Sequence, residues 1–299
     1  MDDRLPLFRH RLSSPSAFRP EALVQAVRAE RAMESVTVPL ICVLDFDGDL
    51  TDWLVEKGIA HTYPAWACFH TTMYSFEVDG IECGIVARTI GGPYAVLVAE
   101  QLHVSGARVL LGLTSAGRVS SSLPVPSLVV ASSAIRDEGT SHHYLPAADT
   151  VAAPTELAVD LYKGIQGLGL PVAQGLVWTT DAPYRETAEE LTAHAERGAL
   201  AVEMQAASLF AFAQARHADV GIAAHVTNAI DHVGKQFDNG SDEQSWLIVQ
   251  AMCHTCISAH RYFPTHDEAV LERVRNQVLP AMTNPKGRSP GSAGVALEL

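Results

Sequence analysis

The chain has 299 residues, 47% hydrophobic and 18% charged, with 21 Gly and 16 Pro. That is a globular composition, long enough for one large α/β domain or two small ones. Its formal net charge of −13 (21 Lys plus Arg against 34 Asp plus Glu) repels polyanions and no basic patch offsets it, so nucleic acid is excluded as a partner.

In chain order, the opening MDDRLPLFRH is charged and lacks the apolar core of a signal peptide. No later run approaches the roughly 20 apolar residues that span a bilayer, so a cytoplasmic location without a membrane partner is expected. Residues 20–33 (PEALVQAVRAERAM) place apolar residues three and four apart, which predicts an amphipathic helix packed across a sheet edge. The run 38–44 (VPLICVL) is short and continuously apolar, as a strand buried on both faces must be. Similar runs follow at 84–88, 107–113, 127–132, 175–179, 200–202 and 220–226, with helical patterns at 94–105, 154–168, 185–197 and 204–216. This alternation predicts a three-layer α/β/α fold around a central, mostly parallel, mixed sheet. Ligands of such sheets bind beyond the carboxyl ends of the strands, so function is sought immediately after each strand. No linker or repeat interrupts the pattern. The expected organisation is an extension over 1–36, one domain over 37–283 and a mobile tail over 284–299.

The five cysteines lie scattered in apolar runs, as reduced core thiols do. Cys253 and Cys256 have half the spacing of a metal or redox site, but no second pair completes it, so no metal and no cofactor are expected.

Asp45-Phe46-Asp47-Gly48-Asp49-Leu50-Thr51-Asp52 follows the first strand and looks like the nucleophile motif of the haloacid dehalogenase phosphatases. Asp49 replaces the usual Thr, and the distant Lys and acidic pair needed to hold Mg²⁺ have no convincing counterparts. A polar turn in which an Asp caps the next helix accounts for the same residues.

Four separated segments together resemble the nucleoside phosphorylase and nucleosidase superfamily, and its uridine phosphorylase-like branch in particular. They are 90–119 (IGGPYAVLVAEQLHVSGARVLLGLTSAGRV), 134–146 (AIRDEGTSHHYLP), 178–187 (WTTDAPYRET) and 202–209 (VEMQAASL). The first contains Thr114-Ser115-Ala116-Gly117, whose backbone N–H groups and hydroxyls suit an anion or a sugar.

The resemblance implies cleavage of the N-glycosidic bond of a small-molecule nucleoside through an oxocarbenium-like sugar. Ser115, with Thr114 and Gly117, would hold the nucleophile, whether phosphate or water. Met204 would cover the sugar, Gln205 would meet its hydroxyls, Asp181 and Tyr184 would border the base, and Glu203 and Arg136 are further substrate-binding candidates. Asn228 would sit near the leaving edge of the base. A homodimer or a hexamer of dimers is implied as well.

Three departures from the family pattern bear on chemistry. Gly112 and the Gly48–Asp52 turn stand where family phosphorylases carry phosphate-binding arginines; Asp49 and Asp52 repel phosphate, and a carboxylate such as Asp49 can activate water instead. Arg118, Arg136 and an Arg from a neighbouring subunit are the candidates to restore a guanidinium. Gln205 replaces a Glu, which weakens stabilisation of a cationic transition state. Asn228 cannot act as a general acid, which leaves a pyrimidine base, or Asp231 in that role. The expectation is phosphorolysis or hydrolysis, with hydrolysis favoured; a binding homologue without catalysis and the Mg²⁺-dependent phosphatase are the alternatives.

Overall fold

Continuous apolar runs become the buried strands of one sheet. The computed structural model describes residues 6–9, 11–229, 240–259 and 262, so Asp231 and the 284–299 tail lie outside the described residues. The helices and strands are α1 (Pro20–Glu30), β1 (Ile41–Asp45), α2 (Asp49–Glu56), β2 (His61–Thr62), β3 (Met73–Val78), β4 (Ile81–Ala87), α3 (Gly92–Val104), β5 (Val109–Arg118), β6 (Ser127–Asp137), β7 (Thr150–Ala152), α4 (Thr155–Ile165), β8 (Val172–Thr180), α5 (Ala188–Glu196), β9 (Ala199–Glu203), α6 (Ala206–Arg216), β10 (Asp219–Ala229) and α7 (Asp242–Ser258). Single 3-10 turns occur at Pro6–Phe8, Thr140–His143 and Pro183–Arg185.

The strand order is β2-β3-β4-β1-β5-β9-β8-β6-β10, and β10 pairs back onto β5. Five strands therefore close on themselves, while β1, β4, β3 and β2 extend the sheet from β5. Pairing is mixed: β1–β4, β1–β5, β5–β10, β6–β8 and β8–β9 are parallel, while β5–β9 and β6–β10 are antiparallel. Every residue of β1 is buried, as expected for a strand with helices on both faces. One helix group is α2, α4 and α7; the other is α3 and α6, with α1 outside α3.

The amphipathic helix departs from its expected packing. Val24 and Val27 of α1 cluster with Ala67, Met33 and Val104, so the helix rests on α3 rather than across a sheet edge. Helix starts follow their chemistry: Thr187 and Glu190 form a reciprocal capping box at α5. All five cysteines are free and buried; Cys253 and Cys256 belong to the core face of α7, and His254 between them turns outward to pair with Asp79.

Candidate active site

Strand register brings the ends of distant strands together. Asp45 at the end of β1 lies beside Ala87 of β4 and Leu113 of β5, Gly117 of β5 lies beside Val202 of β9, and Thr179 of β8 lies between Glu203 and Arg136. Segments near positions 45, 115, 136, 180 and 204 thereby meet along connected strand ends.

The turn after β1 shows the local logic. Asp45 is 2% exposed, and its carboxylate accepts the Gly48 N–H (3.1 Å), the Thr51 N–H (2.8 Å) and the Thr51 hydroxyl (2.7 Å). Burial pushes its pKa up to about 6 despite those donors. The residue that would be a phosphatase nucleophile therefore fastens the first turn of α2.

Asp47 reaches across the sheet instead. Its carboxylate accepts both the backbone N–H (2.8 Å) and the hydroxyl (3.0 Å) of Ser115, 68 residues away. Burial raises its pKa, and the Ser115 donors oppose the rise. The anion cradle anticipated at Ser115 is thus filled by a side chain of the same protein, and Asp45 engages the Gly48 N–H as well. Asp45, Asp47, Asp49, Thr114, Ser115 and Asp242 are among the residues lining a crevice of about 20 Å³. Roughly 10–15 Å³ accommodates a single water, so the crevice has room for one.

The neighbouring strand ends form a hydrogen-bonded frame. Glu203, 4% exposed, accepts the Thr179 hydroxyl (2.5 Å) and the N–H groups of Gln205 (2.7 Å) and Ala206 (2.8 Å). Burial pushes its pKa up to about 7. Both its oxygens are engaged by the protein, and they join β8, β9 and α6. The Gln205 side-chain oxygen accepts the Met204 N–H (3.2 Å), which fixes the amide's orientation, and lies 3.5 Å from the Thr114 hydroxyl. Met204 is half-buried. Asn228 lies across from Gly117, past a bulge in β10, and its amide donates to the Thr227 hydroxyl (3.1 Å).

Arg136 and Asp181 border a separate, open groove that also includes Phe8, Glu138, Trp178 and Glu186, and Tyr184 lies outside it. Arg136 is committed to its own loop, donating to the Ser141 hydroxyl (2.7 Å) and the carbonyls of Pro146 (2.7 Å) and Leu145 (3.3 Å). It is a loop clamp rather than a free guanidinium. Asp181 accepts the Gly139 N–H (2.9 Å), and Tyr184 is fully exposed, in contact with no base-sized enclosure. Arg118 lies on β5 opposite Ala201. The position of Gly112 is closed: a Cβ there would stand 2.8 Å from the Phe46 ring and 3.1 Å from Ile222, so the strand has no room for an arginine.

Thus Asp49, Thr114 and Ser115 share the crevice with Gln205 behind them, while Arg136 and Asp181 share the groove. Residue-by-residue reading of the sequence passed over Asp47, Asp242, Glu138 and Arg88. Asp47 lay in plain view in the DFDGDLTD turn; its signal is a carboxylate two residues past a buried strand, but its partner on β5 is set only by register.

The fold is a mixed α/β sheet whose strand ends gather carboxylates around a turn of small hydroxyl residues. A profile described as the phosphorylase superfamily matches residues 40–259, and the chain belongs to that superfamily. It is 26% identical over 166 residues to a guanosine phosphorylase of Halorubrum lacusprofundi, covering 56% of this chain and 68% of the relative. It is 28% identical over 115 residues to a uridine phosphorylase of Thermococcus kodakarensis, covering 38% and 40%. A DeoD-type purine nucleoside phosphorylase of Exiguobacterium sp. is 28% identical over 149 residues, covering 48% and 62%. Two of these three matches span less than two thirds of the relative.

Proposed function

We propose that the protein cleaves the N-glycosidic bond of a nucleoside with water as the nucleophile. The supporting observation is that both donors of Ser115 already serve Asp47, beside Asp45, Asp49 and Asp242, in a crevice with room for one water. Phosphate entering there would need to displace a carboxylate and would meet three more, and the guanidinium on that turn, Arg88, is already paired with Asp52. A carboxylate has about four acceptor positions. Ser115 uses two at Asp47, which leaves lone pairs for a water proton.

As the bond from C1′ to the base breaks, the base takes the bonding electrons, the water oxygen bonds to C1′, and a water proton passes to Asp47. The acidic surroundings favour the positive charge that develops on the sugar. No cofactor takes part in this scheme. Location is proposed as cytoplasmic; among the described residues, no helix is long and apolar enough to cross a membrane. A homodimer or hexamer of dimers is proposed from the family resemblance, with light scattering as its check.

The deciding experiment incubates purified protein with purine and pyrimidine nucleosides, with and without inorganic phosphate, and identifies the sugar product. Free sugar at a phosphate-independent rate is expected. Sugar 1-phosphate formed only with phosphate would establish phosphorolysis, the reading favoured by the names of the relatives. Ligand-induced thermal stabilisation without any product would establish a binding homologue, the reading favoured by the internally engaged Gln205 oxygen.

A further inference from the structure

Arg88 is strained, exposed and joined to the acidic turn, a combination that stability alone does not explain. β4 runs regularly to Ala87, and then Arg88 adopts the left-handed backbone region with φ 58° while its N–H donates to the Asp45 carbonyl (2.8 Å). That region is unfavourable for a residue with a Cβ and persists where the surroundings enforce it. The turn sends the side chain across Gly48. A Cβ placed on Gly48 would lie 2.5 Å from Arg88 Cγ, 3.2 Å from Cζ and 3.3 Å from Nε, so the stem and guanidinium lie flat on that backbone. The guanidinium then forks onto Asp52 in α2, Nη1 to Oδ1 at 3.2 Å and Nη2 to Oδ2 closer still.

The two side chains are 58% and 62% exposed, where ion pairs add little to stability. A strained backbone is therefore retained for a contact of small structural value. What the contact spans is the turn carrying Asp47 and Asp49, and Arg88 feels the charges of Asp52, Asp45 and Asp49 in that order. Asp242 of α7 approaches the same turn through its repulsion with Asp49. Four carboxylates line the crevice, and Arg88 lies against Gly48, in the turn that carries two of them.

We infer that Arg88 is a positioning residue for the nucleophilic water: by crossing Gly48 and gripping Asp52 it holds the Asp47–Asp49 turn against Ser115, and its charge offsets mutual repulsion among the carboxylates. This rests on the hydrolytic reading above.

Arg88→Gly tests it, because glycine accepts the left-handed backbone without strain and the fold is retained. In this variant kcat is expected to fall about tenfold or more with KM nearly unchanged, since misplacement of catalytic groups by about 1 Å has effects of that size. The acid limb of the pH–rate profile moves to higher pH, because removing a cation makes ionisation of the turn's carboxylates harder. Arg88→Lys restores the acid limb more than kcat. Asp52→Asn lowers kcat while moving the limb little, since the charge of Arg88 stays.

Native kcat and a native acid limb in Arg88→Gly would overturn the inference and leave the hydrolytic reading standing. If the native protein cleaves no nucleoside, that reading fails by itself. Titration of the Asp45 carboxyl by ¹³C NMR in native and Arg88→Gly protein then decides, and an unchanged titration rejects the charge role of Arg88.

Discussion

The end of β1 and β5 and the end of β8 and β9 each hold a carboxylate that accepts a backbone N–H, Asp47 half-buried at the first and Glu203 buried at the second. Glu203 takes donors from Gln205 and Ala206, its close neighbours in the chain, and from Thr179 on the adjacent strand, and is sealed from solvent. Asp47 takes its donors from a residue 68 positions away and borders a crevice that admits water. The difference teaches that a raised pKa and a set of hydrogen bonds do not by themselves mark a catalytic group. Access to solvent and unused lone pairs separate a base from a fastener.

The sharpest way to break the comparison is Asp47→Asn. Turnover is expected to fall about 10²- to 10⁴-fold, the usual contribution of a general base, while thermal melting changes little. Near-native turnover in the panel assay would place the base elsewhere in the crevice, with Asp49 next to be tested.

Glu203→Ala should do the reverse. It leaves two backbone N–H groups and a hydroxyl without their acceptor, and the buried orphans should lower stability by about 3 kcal/mol in chemical denaturation. Loss of activity in a variant that unfolds at the native midpoint would instead give Glu203 a direct role.

The pH dependence of stability sharpens the same contrast. Glu203 rises from 4.5 to about 7 and Asp45 from 3.8 to about 6 on folding, so each is easier to protonate folded than unfolded. Their contributions to stability are complete below the unfolded values and are lost as pH rises through the folded ones. Urea midpoints should therefore decline between about pH 4.5 and pH 7, by a free energy of order 1–3 kcal/mol, and less so in Glu203→Gln. Equal midpoints at pH 5 and pH 8 would contradict the burial of charge at both sites.

The smallest effect is expected at Tyr184. Fully exposed, its replacement by Ala should change stability by less than about 0.5 kcal/mol. Asp181→Asn should leave kcat near native, and a selective rise in KM there would connect the groove to substrate. A drop in kcat equal to that of Asp47→Asn would erase the distinction between groove and crevice.

Much of this arrangement was legible before folding was considered. Continuous apolar runs marked β1, β5, β6 and β10, and the helical pattern at 185–197 marked α5 to within a few residues. These signals are local: burial on both faces demands apolar residues in sequence, and a helix packed on one side demands them three and four apart. Short β2 and β7, and the weakly amphipathic α7, gave no such pattern.

Tertiary structure alone decided which polar residues meet. It placed Ser115 against Asp47, closed the Gly112 position with Phe46, turned Arg136 into its own loop and drew Arg88 across Gly48 to Asp52. Those outcomes depend on strand register and on how closely two backbones approach, quantities that no periodicity encodes. The sequence determined that hydroxyls and carboxylates would stand at the strand ends. The fold determined that one carboxylate would occupy the anion cradle, because only the β1–β5 pairing brings Asp47 within hydrogen-bond reach of Ser115.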